Sequence, residues 1–477
     1  MKRKLLCATA VLISVLCMAI GANAQTKEFN KDSVTAVFLG GSITQGAGAS
    51  DISKNYVSQT GEYLKTAFAG KTVNYVNAGI PGTDSPYGYY RLTSDVLSYK
   101  PDIVFIEFSV NDHYNDRKKT NSEARGKVKG YMEGIIRRLA AEENAPAVIF
   151  INTTDDAINK ENEISFADVY DELCTRYGIK AIDLESYIRK GGYVTASGAE
   201  GTILGDGTHP NDTGYKLYAD EIIKELTTGT YYLVPDKNAA WLSEAAYRQE
   251  GAPRTLGYSE MNFTGDWSEN SAYKGGYTAA LKMSENAGDS VSFDFYGDSL
   301  CLGTRSNQYG GNFRLEIDGE FIGNYNTYNG GTWPMEFPRG TVTGLDKDKK
   351  HTARITVLGT HTSDALKDNV IIARAFVNDG RTDKAGKLVI TNKALSGSLA
   401  SATLYNKTES EISANALFAQ YDANGALTGV VKTSAPLAPY EYTGISNTVE
   451  ANSKNIYVFV WKQGETLEPV CEKITVK

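Results

Sequence analysis

Between residues 25 and 230, five short apolar runs alternate with helical patterns. That alternation constrains the fold more than any other feature of the chain. The runs, at 34–39, 72–76, 103–108, 147–151 and 180–184, are rich in β-branched and aromatic residues and show no polar alternation. Strands of that kind are covered on both faces, as in a parallel sheet. The segments between them carry apolar stripes at helical spacing. Val57, Tyr63, Leu64 and Phe68 form one, Met132, Ile135, Ile136 and Leu139 a second, and Phe166, Val169, Tyr170 and Leu173 a third. A last helix follows Pro210, with Asn211 or Asp212 as its N-cap and Tyr215, Tyr218, Ile222, Ile223 and Leu226 on one side. Strand–helix alternation implies βαβ units and a three-layer α/β/α domain, placed at 25–232.

The pattern changes near residue 230. Over 240–380 helical periodicity is scarce and Gly, Asn and Tyr are abundant. Strands are expected at 291–296, 313–317, 320–323, 351–358 and 370–377. Asp318-Gly319 joins the second and third of these as a type I′ hairpin. This reads as a jelly-roll-like β-sandwich. The stretch 385–477 repeats the all-β character, with strands at 387–391, 402–405, 416–421 and 456–461 and a hairpin turn at Asn424-Gly425. It reads as an immunoglobulin-like sandwich, with Asn378-Asp379-Gly380 marking the boundary.

Residues 1–24 have the form of a signal peptide. Lys2, Arg3 and Lys4 precede an apolar run from Leu5 to Ile20, and Ala22-Asn23-Ala24 supplies a cleavage pattern. The expectation is a secreted or periplasmic protein with no membrane association after cleavage. The formal net charge of −8 gives no electrostatic reason to expect a nucleic-acid partner. Cys174, Cys301 and Cys471 would remain in the mature chain. Their odd number and wide spacing fit neither a disulfide framework nor a zinc site.

Four polar segments fall at or beside the carboxyl ends of the expected parallel strands, where open α/β sheets place their chemistry. They are Gly40-Gly41-Ser42, Asn77 to Gly82, Asn111-Asp112 and Asp206-Gly-Thr-His209-Pro210. A serine hydroxyl needs a base to take its proton. His209 suits that role, and Asp206 could orient the imidazole and stabilise its charged form. The backbone N–H groups of Ser42 and Gly82 and the Asn111 amide could bind a developing oxyanion. Each segment also has a plain reading as a turn, a cap or a loop into a helix. His113, beside Asn111, reads either as a pocket residue or as a satisfied surface histidine.

Taken together, the four segments resemble the SGNH/GDSL hydrolase family of serine esterases. Gly40-Gly41-Ser42-Ile43 looks like the first block, Asn77 to Gly82 the second, Asn111-Asp112 the third, and Asp206 to Pro210 the fifth. Gly41 departs from the usual aspartate. The Gly-Gly-Ser-Ile-Thr opening with an attached β-domain is similar to bacterial carbohydrate acetylesterases such as those of carbohydrate esterase family 2. The resemblance implies a flavodoxin-like sheet of five parallel strands. It also implies Ser42, His209 and Asp206 as the catalytic set and Ser42, Gly82 and Asn111 as the oxyanion hole, with no metal and no organic cofactor.

The substrate expectation is a short acyl ester, foremost O-acetyl groups on a carbohydrate. It rests on export, on the absence of a long apolar lid pattern, and on aromatic and amide residues such as Tyr325, Tyr328, Asn329 and Trp333 that suit sugar rings. Those aromatics equally suit packing in a sandwich. Two competing readings are a lipase or thioesterase on other acyl esters, and a catalytically inactive carbohydrate-binding or adhesion protein.

Overall fold

The structure, a computed structural model, describes residues 25–116, 122–160, 165–270, 281–331, 335–347, 349–379, 388–406, 411–438, 442–450, 455–462 and 474–475. The expected signal peptide, Trp333, Gly380 and Cys471 lie outside them.

Five strands form one parallel sheet: β1 (Ser33–Gly40), β2 (Thr72–Gly79), β3 (Ile103–Glu107), β4 (Ala147–Asn152) and β5 (Lys180–Asp183). Their spatial order is β2-β1-β3-β4-β5, the flavodoxin-like arrangement. The order reverses at β1, where Gly40 pairs with Gly79 on one side and Glu107 on the other. Three carboxyl ends therefore finish level at the switch point. The domain's helices include α1 (Ser42–Gln45), α2 (Tyr56–Ala67), α3 (Ser85–Asp95), α4 (Ser109–Asp116), α5 (Ser122–Ala140), α6 (Ala167–Tyr177), α7 (Leu184–Gly191) and α8 (Asp212–Thr228), with a single turn at Asp156–Asn159. Asn211 caps α8 by accepting the Gly214 N–H, whereas Asp212 accepts from Ser50 and Lys54.

Both faces of the sheet are covered, which explains the unbroken apolar strands. One face packs Phe38, Phe105, Ile149 and Ile151 against Tyr56, Tyr215 and Tyr218. The other packs Leu39, Ile106 and Phe150 against Tyr87, Tyr90, Tyr131 and Tyr170, and its cluster continues into Cys301 and Phe376 of the following sandwich. Phe376 meets the Tyr87 ring edge to face, with centroids 5.4 Å apart.

That sandwich has two antiparallel sheets. One contains β6 (Ser299–Ser306), β7 (Met335–Thr343) and β8 (Val370–Asp379). The other contains the hairpin of Asn312–Ile317 and Glu320–Asn326. Its turn residues Asp318 and Gly319 both have positive φ, as a type I′ turn requires. A further sandwich pairs Leu388–Ser396, Leu399–Asn406 and Tyr442–Thr448 in one sheet. Its second sheet holds Ile412–Tyr421, Leu427–Leu437, Asn455–Lys462 and Ile474–Thr475. Asn378 and Asp379 are the last residues of β8. Cys174 and Cys301 are buried free thiols.

Candidate active site

Ser42 opens α1 directly after β1, and the structure brings His209 and Asp206 to it. The Ser42 Oγ lies 2.8 Å from His209 Nε2, and His209 Nδ1 lies 2.7 Å from Asp206 Oδ2. Asp206 Oδ1 also accepts the backbone N–H groups of Thr208 and His209. These hydrogen bonds, the one from the imidazole foremost, hold the Asp206 carboxyl below its ordinary range, so it stays ionised beside the ring. The arrangement can move a proton from the serine hydroxyl to an imidazole held by a carboxylate.

The loop around Ser42 is fixed from beneath. Glu107, buried at the end of β3, accepts from Thr44 Oγ1 at 2.9 Å, from Thr153 Oγ1 at 2.8 Å and from the Gly41 and Thr44 backbone. Burial raises its pKa, against the effect of these donors. Tyr215 of α8 donates to the Ile43 and Ala47 carbonyls. Asn77 donates to the Thr44 carbonyl at 2.8 Å, so its role is to staple β2 to α1. Gly40 and Gly79 are required sterically: a Cβ would come 2.0 Å from Thr44 Oγ1 at the first and 2.2 Å from the Gln45 nitrogen at the second.

The three expected oxyanion donors belong to neighbouring segments. Ile80 N–H donates to the Gly40 carbonyl, and Asn111 Nδ2 donates to the Thr83 carbonyl at 2.6 Å, leaving its second N–H available. A Cβ at Gly41 would sit 2.2 Å from Asn111 Nδ2, so the asparagine amide occupies the space a side chain there would need. Gly82 has a φ of +79°. A Cβ on it would meet the Phe337 ring at 2.9–3.0 Å and the Met335 methyl at 3.6 Å. Both side chains belong to β7, so the first sandwich borders the site directly.

His113, on α4, is 2% exposed, which corrects the surface reading. Asp112 is also buried, accepting from Ser85 N–H and Tyr170 Oη. Desolvation and nearby Asp84 push it up to about 8. Sequence reasoning missed Glu107, Thr44, Thr83, Arg91, Phe337 and Met335. The Glu107 signal was available, as a carboxylate ending an otherwise apolar strand. Among the described residues, no group of three or more His, Cys, Asp and Glu is placed to hold a metal ion.

Comparison with known proteins agrees with this architecture. An acetylxylan esterase from Xylanibacter ruminicola is 24% identical over 222 residues, 40% of this chain; the chain spans 43% of that relative's length. The crystal structure of a two-domain esterase active on acetylated mannans, co-crystallised with mannopentaose, superposes with a TM-score of 0.57 at 22% identity. It covers 72% of this chain and 90% of its own. A second structure of a two-domain esterase active on acetylated mannans gives 0.53. Residues 38–217, which hold all five expected site residues, match the GDSL-like lipase/acylhydrolase family.

Proposed function

We propose that the chain is a secreted serine esterase that removes short acyl groups, foremost O-acetyl groups on carbohydrates. In this reading residues 1–24 are cleaved on export, 25–232 form the catalytic domain, and 240–380 and 385–477 form the two β-domains. The observation that carries the reading is His209 bridging Ser42 and Asp206 at 2.8 and 2.7 Å. In the mechanism, Ser42 Oγ attacks the ester carbonyl as His209 takes its proton. The tetrahedral oxyanion is met by the Ser42 and Gly82 N–H groups and the Asn111 amide. Collapse breaks the bond to the sugar oxygen, which leaves with the proton from His209. Water then attacks the acyl-enzyme by the same route, releasing the acid and free Ser42.

Two features support the substrate class. Phe337 and Met335 crowd Gly82, which suits a short acyl group. The curated relative is an acetylxylan esterase, and two structural neighbours are esterases active on acetylated mannans. The test is turnover of p-nitrophenyl acetate and octanoate together with acetate release from acetylated polysaccharides. Acetyl esters should be cleaved far faster, and Ser42→Ala should fall by about 10⁶ in kcat, as when a triad serine is removed. A preference for octanoate would make the protein a lipase. No turnover of any ester would leave the binding reading.

A further inference from the structure

Tyr87, Arg91 and Asp95 follow one another at four-residue spacing and share one face of α3. Arg91 is fully buried. Its guanidinium donates to the Gly40 carbonyl at 2.8 Å, to the Ala78 carbonyl at 2.7 Å and to Asp95 at 3.1 Å. Gly40 precedes the Gly41-Ser42 turn, and its carbonyl also takes the Ile80 N–H at 3.0 Å. Arg91 therefore grips the point where the nucleophile segment and the segment leading to Gly82 are joined.

Arg91 is held in turn by the first sandwich. Asp95 presents its other oxygen to Arg374 of β8 at 2.6 Å. Arg374 Nε donates to Glu336 of β7 at 3.1 Å, and Tyr87 donates to the same Glu336 oxygen. Glu336 is fully buried and adjoins Phe337, which packs on Gly82. The sandwich thus reaches both oxyanion segments, once through the ion pairs and once through the phenyl ring. Stability alone gives no reason for charges here, because well-packed apolar side chains join two layers as well or better. What the charges provide is directional: the guanidinium fork fixes two carbonyls, and through them the peptide planes beside the oxyanion donors.

We infer that Arg374 and Glu336 are positioning residues for ester hydrolysis, acting through Asp95 and Arg91 on the segments that carry Ser42 and Gly82. The inference rests on the esterase reading. It is tested on the full chain with p-nitrophenyl acetate. Arg374→Met should lower kcat by about 10- to 100-fold, the scale of a small misplacement of reacting groups, with KM changed less than about twofold. Labelling of Ser42 by an organophosphonate should slow in parallel, and Arg374→Lys, which keeps a cation beside Asp95, should recover part of the rate. Arg91→Lys, which cannot hold both carbonyls, should also lose kcat. If Arg374→Met does not fold, Glu336→Gln replaces it and is judged by the same kcat and labelling criteria. Wild-type protein that turns over no ester overturns the esterase reading. Active wild type with a folded variant keeping kcat within about threefold overturns the positioning role.

Discussion

The two β-sandwiches share a fold class and differ in how they are built into the molecule. The first has no sharp border with the α/β layer: Cys301 and Phe376 sit in the same apolar cluster as Leu39, Ile106 and Tyr90. Polar side chains cross the same seam, with Tyr89 donating to Asn378 at 3.1 Å, Thr93 to the Pro253 carbonyl at 2.6 Å, and Arg374 to Asp95. The cluster of the second sandwich is drawn from its own strands, among them Leu404, Phe418, Ile456 and Val458. A sandwich that completes another domain's core is part of the folding unit and of whatever that unit does. The first sandwich also has a core of its own, with Phe293, Leu302 and Ile355 in it, so what separates the two is its added share in the α/β cluster. A sandwich without such a share is free to be an appended module. The lesson is that all-β character says little about role; the composition of the core decides it.

The most severe way to break this comparison is a matched pair of core truncations. Phe376→Ala and Phe418→Ala each remove a fully buried ring, and each should cost about 3–5 kcal/mol in its own unit. Their consequences should differ. Phe376→Ala should lower the melting transition of the catalytic unit and reduce esterase kcat, because β8 carries both Phe376 and Arg374. Phe418→Ala should lower only the transition of the second sandwich and leave turnover of a small ester unchanged. Equal losses of kcat in the two variants would show that the sandwiches are not functionally distinct.

Within the site, Asn111→Ala sharpens the comparison by calibrating it. Removing one oxyanion donor typically costs about 10²–10³ in kcat. Asn111→Ala should reach that range with little change in KM, and it sets the ceiling against which any effect of the sandwich is read. Gly41→Ala should approach it, because a Cβ there must displace Asn111 Nδ2. An effect confined to KM would make Asn111 a substrate-binding residue instead.

Much of this was legible from the amino-acid order. The five parallel strands fall where apolar runs without alternation place them, because both faces are dry. Ser42, Gly82 and Asn111 stand on short segments after β1, β2 and β3, where spacing limits what they can reach, and Asp206 and His209 on the loop that enters α8. Helix α3 was not read. From Ser85 to Leu92 every residue is buried, since the sheet covers one side and the first sandwich the other. A periodicity argument presumes water on one face and finds none here. The local signals were present: Asp84 caps the Tyr87 N–H and Pro86 lies in the first turn. Glu336 and Arg374 were beyond reach for another reason. They meet Tyr87 and Asp95 across about 250 to 280 residues of chain, and no local pattern encodes such a meeting.

The last expected effect concerns pH and is read in stability alone, not in turnover. Asp112 lies beneath the α3 N-terminus, where burial and Asp84 push its carboxyl up to about 8. Unfolded, the same group titrates near 4. Between these values the native chain holds a proton that the unfolded chain has released. The contribution of Asp112 to stability is therefore complete below about pH 4, declines as pH rises, and is lost by about pH 8. Asp112→Asn has no proton to release, and its amide can still accept from Ser85 and face Tyr170. Calorimetry of the full chain should show the catalytic unit's melting temperature falling less steeply between pH 4 and 8 in the variant. Glu107 and Glu336, also raised by burial, would supply the slope that remains. The transition of the second sandwich should be indifferent to this substitution, since its core shares no residue with the one around α3. If both transitions changed slope together, the second sandwich would be melting as part of the catalytic unit, and the distinction between the two would fail at its weakest point.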